Sequence, residues 1–98
     1  MIADSRLNRP VEPDAEALAI QALSFLAGRP EELGRFLALS GIGPASLRQS
    51  AADPAFLGGI LDFLLQDETL LMSFAGENGL APAAVGTARR RLAGAPRE

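Results

Sequence analysis

At four places along the chain a proline is followed three residues later by an apolar residue: Pro30/Leu33, Pro44/Leu47, Pro54/Leu57 and Pro82/Val85. This spacing predicts four helix starts. Proline at the first helical position gives up no hydrogen bond, because that N–H has no intrahelical partner, and its φ is already helical. The apolar residue one turn on begins a buried stripe. The intervals between these prolines are unequal, so the pattern is repeated helix-start chemistry and not a solenoid period.

Two further helices start without proline. Asp14 is placed to cap a first helix over Ala15 to Ala27. Its apolar face is Leu18, Ala22, Phe25 and Leu26, and Ile20, Leu23 and Ala27 widen the arc beyond half the circumference. That width predicts a central helix. Gly28 follows in the position where a left-handed residue ends a helix. The second helix runs from Pro30 to about Leu39, with acids Glu31 and Glu32 at its positive end and a stripe of Leu33, Phe36, Leu37 and Ser40.

Gly41-Ile42-Gly43 reads as a tight turn before a short third helix, Pro44 to about Ala51, whose inner face is Leu47 and Ala51. Asp53 caps the fourth, Pro54 to Gln66, where Phe56, Leu57, Ile60, Leu61, Phe63, Leu64 and Leu65 leave a narrow polar strip. Asp67 caps a fifth, Glu68 to about Glu77, with Leu70, Leu71 and Phe74 inward and Asn78-Gly79 as its stop. The sixth begins at Pro82, turns Val85, Ala88 and Leu92 inward, and ends with Arg89, Arg90 and Arg91 at its negative end. The fold predicted is all-α: a compact orthogonal bundle of about six short helices with short links. Residues 14–93 form one domain, with a flexible arm at 1–13 and a frayed tail at 94–98.

Composition agrees with helix. Of the 47 apolar residues, 34 are Ala or Leu and only six are Val or Ile. A chain of 98 residues is long enough to bury about 60–68% of its unfolded surface. Net charge is only -3, too low for a disordered chain with this much leucine. No run approaches the ~20 apolar residues of a membrane span, since Asp62 interrupts the most hydrophobic stretch. Met1 to Pro13 holds Arg6 and Arg9 but no apolar stretch after them, so cytoplasmic residence is the expectation.

The chemistry available is narrow. With no His, Cys or Lys, a serine lacks its usual base and there is no thiolate, which removes most hydrolase and transferase schemes. Asp67-Glu68 is the internal acidic pair outside the second helix's first turn, and it reads as a cap beside a dipole-compensating acid, not as a catalytic carboxylate pair. A zinc site lacks its ligands, and no segment alternates acids and amides as a calcium loop does. No enzyme activity, metal or cofactor is expected.

Gly41-Ile42-Gly43 between helices has the form of a helix-hairpin-helix turn, whose N–H groups meet a DNA phosphate. Leu39 and Pro44 fit it, whereas Leu47 and Ser50 depart from it. The turn holds no cation, and the first basic residue after it is Arg48. Phosphate affinity rests largely on cations, so a structural link with Ile42 plugging the core is the preferred reading. Gly41, Gly43 and Arg48 are the candidate contacts of the alternative. Arg89-Arg90-Arg91 fan out by about 100° each, so they do not form one flat patch.

Gly58 and Gly59 lie inside the most apolar helix, where each costs about 1 kcal/mol against alanine. Close approach of another helix, in the same chain or in a dimer, is the compensation expected. Monomer and homodimer are both open.

Several strings together carry a resemblance: Ala22-Leu23-Ser24-Phe25-Leu26, Arg35-Phe36-Leu37-Ala38-Leu39, Leu47-Arg48, Asp53-Pro54-Ala55-Phe56-Leu57, Leu61-Asp62-Phe63-Leu64, and Asp67-Glu68 with Leu70, Leu71 and Phe74. In order and spacing the chain resembles a small bacterial family of uncharacterised proteins, domain-of-unknown-function family 3572. The resemblance implies a small helical domain, usually a whole protein, and transfers no activity, cofactor or site residue. By subtraction the expected function is a non-catalytic protein-protein interaction module with an unidentified protein partner. Surplus apolar residues such as Leu39, Ile42 and Met72 would mark its contact surface. Nucleic-acid binding through the Gly-Ile-Gly turn is the alternative.

Overall fold

Pro30, Pro44, Pro54 and Pro82 each stand at the first residue of a helical segment. The structure, a computed structural model, describes residues 11–92, with side chains described from Ala15 onward. Among the described residues six α-helices follow in order: α1 (Val11–Ala27), α2 (Pro30–Ser40), α3 (Leu47–Ser50), α4 (Pro54–Leu65), α5 (Glu68–Glu77) and α6 (Pro82–Leu92). A 3-10 turn at Pro44–Ser46 leads into α3. No strand occurs among the described residues.

Both acidic caps form. Asp53 accepts a hydrogen bond from the Ala55 amide at 2.9 Å, and Asp67 accepts one from the Leu70 amide at 3.1 Å. Each satisfies an N–H that the helix itself leaves unpaired. The first helix differs from expectation. Among the described residues it is helical from Val11, so Asp14 lies inside it and not at its N-cap. Of the expected arm 1–13, residues 11–13 are thus helical. The rest of that arm and the tail 94–98 lie outside the described residues.

Helix ends separate into two kinds. Gly41 (φ +74°) and Gly79 (φ +65°) adopt the left-handed conformation. The amides of Ile42 and Leu80 then reach back five residues to the carbonyls of Leu37 (3.3 Å) and Ala75 (2.9 Å). This is the Schellman closure, which lets the next apolar side chain fold back onto the core. Gly28 does not adopt it, contrary to expectation. Its amide and that of Arg29 bond instead to Phe25 and Leu26, three residues back, and Pro30 prevents continuation.

The core is built where α1, α4 and α6 meet, each of the three packing on the other two. The largest fully enclosed side chains are Leu26, Ile60, Leu61, Leu64, Phe74 and Val85, each contributing roughly 1.5–3 kcal/mol by leaving water. In α4 the buried arc runs from Phe56 to Leu64, while Phe63 is half-buried and Leu65 is exposed. The buried face of α1 is narrower than its apolar arc: Ala15, Leu18, Ala19, Ala22, Phe25 and Leu26 are inside, and Ile20 and Ala27 face water. Its i, i+3, i+4, i+7 spacing is that of a helix covered on one side.

Phenylalanines join the outer helices to this centre. Phe25 of α1 meets Phe74 of α5 edge to face at 5.4 Å, and Phe36 of α2 packs on Phe56 and Phe63 of α4 at 5.5 and 5.4 Å. Such tilted pairs align ring edge with ring face. Phe36 is the buried residue of α2, with Leu33 and Leu37 half-buried and Ser40 exposed.

Candidate functional site

The Gly-Ile-Gly turn is shaped by the α2 cap. Gly41 supplies the left-handed residue, Ile42 is half-buried against the core, and Gly43 is extended (φ -79°, ψ 156°). The α-helix after it has four residues, and Arg48 within that helix is exposed. Every conformational requirement of Gly41 is thus met by ending α2 and seating Ile42.

Three of the described arginines are held by carboxylates. Arg29 pairs with Glu77 at 2.7 Å and lies 4.5 Å over the Phe25 ring, tying the end of α1 to the end of α5. Arg35 reaches Asp67 at 3.3 Å and stacks 5.1 Å over Phe63. Asp67 therefore uses one oxygen for its cap and the other for Arg35, which is the work of a structural carboxylate. Arg6 and Arg9 lie outside the described residues.

The third pair explains one of the glycines. Arg89 of α6 donates from Nε to Asp62 of α4 at 2.6 Å. This hydrogen bond holds the guanidinium above the ordinary arginine range, with the Asp62 charge acting the same way and partial desolvation opposing both. The guanidinium lies across Gly58, one turn before Asp62. A Cβ at residue 58 would stand 3.2 Å from Nη1 and 3.3 Å from Cζ. At Gly59 the nearest atom is Cε1 of Phe36, at 4.0 Å. What approaches the two glycines is therefore side chain and not the backbone of another helix.

Of the arginine run, Arg89 is consumed by Asp62, Arg90 contacts the Thr87 hydroxyl at 3.3 Å, and Arg91 is exposed. Arg91 lines an open groove of about 730 Å³ between α1 and α6. Leu18 and Ala88, both buried, lie at its base, Leu80 and Ala84 are half-buried in its lining, and Gln21 and Thr87 are exposed at its edge. Gln21 also borders a second depression with Glu77 and Asn78, just ahead of α6, so α6 runs back antiparallel to α1. The groove exists because alanines occupy positions where longer side chains would close it.

Sequence reasoning missed this groove. Its signal is the alanine pair Ala84 and Ala88, four residues apart on one face of α6, opposite Ala15 of α1. Of the surplus apolar residues, Leu39 and Met72 are exposed at 74% and 51%, on α2 and α5, while Ile42 is half-buried. Among the described residues no cluster of three metal-ligating side chains occurs, and no helix is long and apolar enough to cross a membrane.

No curated protein and no solved structure matches the chain. The match is to a family model that spans residues 12–95, every described helix except the first residue of α1. By that match the chain belongs to DUF3572, a family described as proteins of unknown function.

Proposed function

We propose that this protein is a non-catalytic, cytoplasmic protein-protein interaction module whose docking site is the α1/α6 groove. The observation that carries the reading is the groove itself: a concavity between two helices packed on each other, lined mostly by apolar residues, with Ala17 exposed and Leu80 and Ala84 half-buried at its surface and Leu18 and Ala88 buried beneath. Apolar concavities edged by a few polar groups are where partners bind. The available chemistry supports binding over catalysis, because the sequence contains no His, Cys or Lys and the described carboxylates of Asp53, Asp62, Asp67 and Glu77 are engaged in caps and ion pairs.

Site-specific photocrosslinking in the cells of origin tests it. A photoreactive residue replaces Ala17 or Thr87 at the groove, and Glu31 on α2 as the reference; all three are exposed. Discrete protein adducts from the groove positions and not from position 31 are expected. Equal adduct patterns from all three, or none from the groove, would overturn the assignment.

A further inference from the structure

We infer that the groove's partner is an amphipathic α-helix that lays about two turns of apolar face between α1 and α6 and places a carboxylate against Arg91. The inference rests on the docking role proposed above and specifies its partner. The walls decide the conformation of the occupant. Both are helices, whose backbone groups are already paired internally, so an extended peptide finds no free N–H or C=O edge to bond and would leave its own backbone unsatisfied. A proline-rich ligand needs aromatic walls, and none of the lining residues is aromatic. A helix satisfies its own backbone and offers only side chains, which is what a groove of leucine and alanine can accept.

Length follows from the walls. The lining runs from Ala15 to Gln21 on α1 and from Ala84 to Arg91 on α6, about 10 Å at 1.5 Å per residue, or two turns of a docked helix. Apolar anchors at i, i+3 or i+4, and i+7 would cover it. Because α6 is antiparallel to α1, the groove has unlike ends: Leu80 and Gln21 at one, Arg91 at the other. Arg29, Arg35 and Arg89 are held by carboxylates, whereas Arg91 forms no ion pair among the described residues and stands at the apolar edge. An acid at the matching end of the partner helix complements it and sets register.

Three synthetic 15-residue helical peptides with one shared apolar face, differing only in a Glu, Gln or Lys at one end of that face, test this against the full-length protein. Binding is followed by NMR shifts of the methyl groups of Ala15, Leu18, Ala84 and Ala88. The Glu peptide is expected to bind about fivefold tighter than Gln and at least about tenfold tighter than Lys. Arg91→Glu should reverse the order of Glu and Lys, and Thr87→Trp should weaken all three. Equal affinities at the groove would remove the carboxylate while leaving the docking role standing. Shifts confined to other surfaces, with none at the groove for any peptide, would overturn both.

Discussion

Alanine at Gly58 and alanine at Gly59 should have different consequences although the residues are neighbours in one helix. Within α4 either change removes the backbone entropy cost of glycine and should stabilise by about 1 kcal/mol. At Gly59 nothing opposes it: the new methyl meets Cε1 of Phe36 at 4.0 Å, ordinary contact. Gly59→Ala is therefore expected to raise stability by about 1 kcal/mol, or roughly 4–8 °C in melting temperature for a domain of this size. At Gly58 the methyl would stand 3.2 Å from Nη1 of Arg89, so the guanidinium must move by a few tenths of an ångström. Asp62 resists through the 2.6 Å bond. Both partners are partly exposed, so solvent screening limits the pair to about 1 kcal/mol, and Gly58→Ala should come out near zero.

Arg89→Ala removes the obstacle, and in that background Gly58→Ala should recover its full gain of about 1 kcal/mol. Urea unfolding of the four proteins of this cycle, with Gly59→Ala measured alongside, gives the coupling directly. Should Gly58→Ala stabilise as much as Gly59→Ala with Arg89 in place, and show no coupling to it, the guanidinium would not be fixed over Gly58 and the account of that glycine would fail.

Asp67→Ala should cost about 1 kcal/mol through the lost cap of α5, with the Arg35 pair adding little; thermal melts check it, and an unchanged midpoint would refute the cap's contribution. Phe74→Ala empties the centre of the core and should cost about 3–5 kcal/mol in denaturant unfolding. The Arg89 contribution has a raised folded pKa, so it is fully present below the ordinary arginine value and lost only as pH rises past the raised one. Replacing Arg89 should therefore lower the melting temperature equally at pH 6 and pH 9, and a difference that changes across this window would refute a contribution from a fully charged Arg89–Asp62 pair. Titration with duplex DNA at low salt should leave the amides of Gly41, Gly43 and Arg48 unshifted, because the turn lacks a cation to neutralise phosphate; localised, salt-sensitive shifts there would promote the nucleic-acid reading.

Helix boundaries were legible wherever local chemistry sets them. Pro54 after Asp53, or Glu68 after Asp67, fixes a start whatever the rest of the chain does. The helical residues from Val11 to Asp14 were not legible, because Asp14 has a side chain able to cap a helix and local sequence does not show that it lies inside one. Gly28 was misread because a following proline ends a helix without a left-handed residue. The depth of each apolar face depends on packing, which periodicity does not encode: Ile20 and Leu26 both sit in the α1 arc, yet one is 41% exposed and the other fully enclosed. The groove was hidden for the same reason, since Ala84 and Ala88 form a concavity only opposite Ala15 and Leu18. Gly58 was recognised as needing compensation, but its partner, an arginine 31 positions away in sequence, belongs to tertiary structure.

The antiparallel clasp of α1 by α6 also bears on how the chain comes into being. α1 leaves the ribosome before the other described helices, yet Val85 and Ala88, which cover its buried face together with α4, are among the last described residues to be made. Until they emerge, the apolar side of α1 has half its shelter missing. Folding of this protein should therefore complete only after synthesis has passed α6. A nascent chain halted ahead of Pro82 should present Leu18 and Ala22 to chaperones, and release of α6 should end that exposure in a single step.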